Sequence, residues 1–65
     1  MASILEQIAK QLPDLKKQIA DLKETISAFV AAGEDVRTQQ EQLAQLEARL
    51  RRWEAVLRQR GIVAT

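Results

Sequence analysis

Phe29-Val30-Ala31-Ala32-Gly33-Glu34-Asp35-Val36 is the stretch that decides the fold of this 65-residue chain. On its N-terminal side, Leu5, Ile8, Leu12, Leu15, Ile19, Leu22, Ile26 and Phe29 succeed one another in alternating steps of three and four. Such spacing is a heptad repeat, with Leu5 at position a and Ile8 at d. On its C-terminal side a second series runs Val36, Gln39, Leu43, Leu46, Leu50, Trp53, Leu57 and Arg60, with Val36 at a. The two series are out of phase. Continuing the first past Gly33 would bring Gln40, Glu47 and Glu54 into the seam and expel Leu46 and Trp53. One unbroken coiled-coil helix would need a stammer there, whereas a turn resolves the conflict. Gly33 suits the left-handed residue that closes a helix, and Glu34 and Asp35 suit the positive N-terminus of the next. Either can cap it, Asp35 being the better capping residue.

Working outward, both ends are punctuated. Ser3-Ile4-Leu5-Glu6 has the form of a capping box, and Gly61 follows the last periodic residue. With Gly61 left-handed, Ile62 and Leu57 are the pair that touches in a Schellman close. The expected layout is helix 1 over about 4–32, a turn at 33–34, helix 2 over about 35–60 and a short tail at 61–65. Pro13 removes the hydrogen bond to the Ala9 carbonyl, yet the heptad passes through it in phase. Helix 1 is therefore either continuous and kinked, or split with Pro13 in the first turn of its main part.

Antiparallel pairing sets a positions against d positions. Pairs whose numbers sum to 65 give Leu22 against Leu43, Ile19 against Leu46, Leu15 against Leu50, Leu12 against Trp53 and Ile8 against Leu57. They continue to Phe29 against Val36 and Ile26 against Gln39 beside the turn, and to Leu5 against Arg60 at the far end. On the e edge, Lys16 and Lys23 face Glu47 and Glu54; the g edge carries Gln11, Gln18, Gln42, Arg49 and Val56 and is nearly uncharged. The fold class expected is all-α, an antiparallel coiled-coil-like two-helix hairpin. One seam buries too little to offset the ordering of so short a chain. Two copies joined along their g edges would close a four-helix bundle, so a homodimer is expected, with an asymmetric partner as the alternative.

Composition narrows the function. Ten Lys and Arg against nine Asp and Glu leave a net charge of +1, unlike strongly basic nucleic-acid binders or acidic tails. Without Cys or His there is no disulfide framework, no thiolate metal site and no imidazole general base. Asp14, Asp21 and Glu24 lie on outward positions with no nucleophile beside them, so no enzyme, cofactor or metal site is expected. No signal-peptide pattern or bilayer-length apolar run is present, and a cytoplasmic protein is expected. The layout resembles that of small dimeric helical hairpins among plasmid regulators, without a shared motif.

The core seam is expected to comprise Leu12, Leu15, Ile19, Leu22, Ile26, Leu43, Leu46, Leu50, Trp53 and Leu57. Trp53 is expected to pack in the core with its indole N–H on Gln11 or a terminal carbonyl, Phe29 to be core, and Gln39 to reach water near the turn. Helix 1 uses only Lys and helix 2 only Arg. Either this Arg face is solvated and tied by Glu47–Arg51 and Glu54–Arg58 pairs, or it recognises a partner. A partner site is expected at the open end and on the adjoining helix 2 face, formed by Arg51, Arg52, Arg58, Arg60, Ile62 and Ile4. The function expected is a protein–protein interaction module that regulates or inhibits another protein, of phage, plasmid or bacterial regulator type. An acidic protein surface is the expected partner. The alternatives are a nucleic-acid-binding hairpin using the Arg face, or a structural assembly domain.

Overall fold

The computed structural model describes residues 3–62. Two helices account for nearly all of it, α1 (Ile4–Ala31) and α2 (Arg37–Gln59), and they pack against each other. A straight helix of 65 residues would be about 98 Å long at 1.5 Å per residue. The molecule instead measures 48 × 16 × 13 Å, the dimensions of a hairpin. No strand occurs among the described residues.

The local signals act through specific hydrogen bonds. Ser3 Oγ accepts from the Glu6 N–H at 3.1 Å, the forward half of the capping box. Pro13 lies inside α1, which runs through it without interruption, on an exposed face. At the other end Gly33 has φ +80°, the left-handed region that glycine enters without steric cost. The Glu34 N–H donates to the Phe29 carbonyl at 2.9 Å and the Gly33 N–H to that of Val30 at 3.0 Å. These two bonds are a Schellman close. The same motif ends α2: Gly61 has φ +72°, and the Ile62 N–H donates to the Leu57 carbonyl at 2.9 Å.

The second helix begins two residues later than the sequence suggests. The N-cap is Val36, which makes no side-chain cap bond, rather than Asp35; one residue earlier, Asp35 Oδ1 accepts from the Arg37 N–H at 3.0 Å in an Asx-type bond. The Arg37 guanidinium then clasps the same carboxylate, with Nε and one terminal nitrogen 2.8–3.2 Å from its oxygens. That side-chain clasp, more than the backbone bond, holds the Asp35 carboxyl below its usual range. A carboxylate with a depressed folded pKa contributes stability above its unfolded pKa and loses it as pH falls through the folded value. Wild type is therefore expected to lose more thermal stability than Asp35→Asn as pH is lowered from about 5 to 2. Parallel melts of the two proteins across that range check it.

The core sits at the open end. Ala9, Leu12 and Leu57 form its buried cluster, and Leu5, Leu15, Leu50, Trp53 and Ile62 pack on it. Ile19 and Val36 are the other buried apolar residues among those described. Ala9, at an e position, belongs to the core although the heptad places it outside; its small side chain lets the e edges come together. Lys16 and Glu54, both at e, meet at 3.7 Å, in keeping with the antiparallel orientation that the short turn imposes. This pair replaces the expected Glu54–Arg58 contact; among the described residues Glu47–Arg51 is not formed either.

Toward the turn the seam loosens. Phe29 is 38% exposed rather than core, and Leu22, Ile26, Leu43 and Leu46 are half-buried. Gln39 is half-buried, and its Oε1 is shut away from water with no hydrogen-bond partner. An orphaned acceptor costs about 1–3 kcal/mol in desolvation. Gln39→Leu, opposite Ile26, is expected to stabilise the protein by about 1 kcal/mol or more, as read from the midpoint of urea unfolding.

Candidate interaction surface

Burial along each helix is lopsided. The a positions of α1 are buried at Leu12 and Ile19 and half-buried at Leu5 and Ile26, whereas no d position is buried: Ile8, Leu15 and Leu22 are half-buried and Phe29 is exposed. Val36, just before α2, and Leu57 are buried at a, whereas Leu43 and Leu50 at a and Leu46 and Trp53 at d are half-buried. Position e lies beside a and position g beside d at 100° per residue. The hairpin is thus shut along its e edge and open along its g edge.

The open edge is a groove. Ile8, Leu12, Leu15, Leu46 and Trp53 supply its apolar lining, and Gln11, Gln18, Asp14 and Arg49 its polar margins. A shallower hollow continues from Trp53 over Arg49, Arg52 and Val56. Trp53 joins the two: it packs on the core cluster while presenting the rest of its ring to the groove. Its indole makes no hydrogen bond to Gln11 among the described residues. Leu15 and Trp53, expected wholly within the seam, therefore serve two surfaces, and Leu46 lines the groove.

The residues expected at a partner site do not form one cluster. Ile62 is half-buried on the Ala9–Leu12–Leu57 cluster, where it completes the Schellman close rather than offering a free contact. Ile4 is 74% exposed. Arg51, Arg58 and Arg60 are exposed, and Arg52 lies at the groove margin, not on the outer face. Arg51 and Arg58, both at b, point away from groove and seam alike. Sequence reasoning set Asp14 aside as merely outward. Its c position beside g was the signal that it borders the open edge.

No group of three or more His, Cys, Asp or Glu side chains able to hold a metal ion occurs among the described residues. No helix among them is long and apolar enough to cross a membrane. Comparison of the chain with protein-family models, with curated proteins and with solved structures finds no match.

Proposed function

We propose that this chain is a small non-enzymatic protein–protein interaction module of the cytoplasm. It is a helical hairpin that dimerises into a four-helix bundle and binds another protein, regulating or inhibiting it in the manner of phage, plasmid or bacterial regulators. The open g edge carries this reading. The accessible surface is 5093 Å², whereas a compact monomer of 7.3 kDa exposes about 4,200 Å². The excess, about 900 Å², is what an elongated pair of helices exposes beyond a compact globule, and it leaves the chain surface to give to an interface. Elongation tells the same story, with a radius of gyration of 14.5 Å against about 11 Å for a compact chain of this length.

With the groove given to assembly, the outward Arg51 and Arg58 are left to meet a partner with an acidic surface. Sedimentation equilibrium at micromolar concentration is expected to give a dimer, and a stably folded monomer would overturn the assembly. Arg51→Glu with Arg58→Glu is expected to leave the dimer and its melting intact. Capture of the partner from a host lysate should then weaken about tenfold or more, through like-charge repulsion. Unimpaired capture would overturn the partner face. Capture that disappears on nuclease treatment and falls steeply with salt would assign the Arg face to nucleic acid instead.

A further inference from the structure

We infer that the occupant of the groove is a second copy of the chain, related by a two-fold axis parallel to the helices, so that each copy's α1 lies against the partner subunit's α2 and both turns emerge at one end. This inference rests on the dimer proposed above and adds its geometry.

The charges bordering the groove carry it. On α1 the open side consists of positions c, g and d, where Asp14 and Asp21 are the only charged residues; Lys10, Lys16, Lys17 and Lys23 all fall on e or f. On α2 the same positions hold Arg49, Arg52 and Arg60, while Glu41, Glu47 and Glu54 fall on e or f. One margin of the groove is therefore purely acidic and the other purely basic. The register places Asp14 level with position 51 of α2, between Arg49 and Arg52. Asp14 and Arg49 line the groove from opposite sides, and neither takes part in an ion pair among the described residues.

A two-fold parallel to the helices exchanges the margins. The acidic margin of each copy then meets the basic margin of the other, twice over, and every helix runs antiparallel to both neighbours. Turning the axis perpendicular to the helices would instead lay α1 on α1 and α2 on α2. Carboxylates would then approach carboxylates and guanidinium groups approach one another, which disfavours that arrangement. In the first arrangement Leu15, Leu46 and Trp53 of both copies close a common apolar core, with the charge pairs at its border where aromatic and Arg side chains are enriched.

Two variants test this without knowledge of any other partner. Variant one is Asp14→Arg; variant two is Arg49→Asp with Arg52→Asp. Each alone confronts like charges across the interface, so its dimer dissociation constant should rise about tenfold or more, with helicity followed by circular dichroism. Mixed in equal amounts, the two should restore a dimer of wild-type affinity by sedimentation equilibrium, because both contacts become Arg against Asp. A loss of association that mixing does not restore would overturn the geometry, since repair within one chain is impossible there. Single variants that dimerise as wild type does would also overturn it, leaving the dimer itself standing. A monomeric wild type would overturn the dimer and this geometry together.

Discussion

Leu57→Ala is expected to leave most of the protein unfolded at room temperature. Leu57 is only 1% exposed and joins Ala9 and Leu12 in the one buried cluster of the hairpin. Truncating a buried Leu costs about 2–5 kcal/mol, through lost burial and the cavity left behind. A domain of this size draws no more than about 3–5 kcal/mol from its core, so the loss takes most of its margin. Far-ultraviolet circular dichroism against temperature measures the outcome. Glu41→Lys, on an exposed f position, serves as the comparison and should shift stability by no more than about 0.5 kcal/mol. Similar losses from both would place the core elsewhere.

Leu46→Asp is expected to act on assembly instead. Leu46 is half-buried and lines the groove, so in a lone hairpin its carboxylate can still turn to solvent. In the proposed bundle that route is gone, and an unpaired charge would be buried against apolar neighbours, at a cost of several kcal/mol. Dimerisation is therefore expected to weaken by two orders of magnitude or more, with the loss in sedimentation exceeding the loss in helicity at high protein concentration. Equal loss of helicity and association at every concentration would mean that Leu46 belongs to the seam of one chain.

Much of this architecture was legible in the residues. The phase break at Gly33 marked the turn, Gly61 foretold its Schellman close and Gly33 its left-handed closing residue, and the e-edge charges agreed with the antiparallel orientation. A heptad states which residues point toward a neighbouring helix. It does not state how far the two axes rotate or separate. For that reason it foretold neither the exposure of Phe29, nor the burial of Gln39 Oε1, nor how closely the e edge shuts, although the nearly uncharged g edge had already marked the side left for a second copy. The small Ala9 at e was the available hint. The later start of α2 escaped for a different reason: an Asx bond reaches two residues ahead, so the Asp35 side chain precedes the N-cap instead of supplying it. The partner site was the least legible part, because exposed Arg residues carry the same pattern whether solvated or engaged.

The best-packed cluster lies at the end of the hairpin remote from its turn, and this bears on how the chain folds. Leu12 and Leu57 must find each other across about 45 intervening residues, whose closure is an entropic cost incurred before their contact repays it. Layers beside the turn are closer in sequence but, Val36 apart, half-buried or exposed, and one of them contains an unpartnered side-chain oxygen. A zipper started at Gly33 would thus gain from Val36 and Ile19 on the way but be rewarded most when the two ends clasp. Folding should respond weakly to substitutions at Phe29 or Ile26 and strongly to those that prestiffen either helix. Lengthening the turn should cost little, since each doubling of a flexible loop adds only about 0.6 kcal/mol.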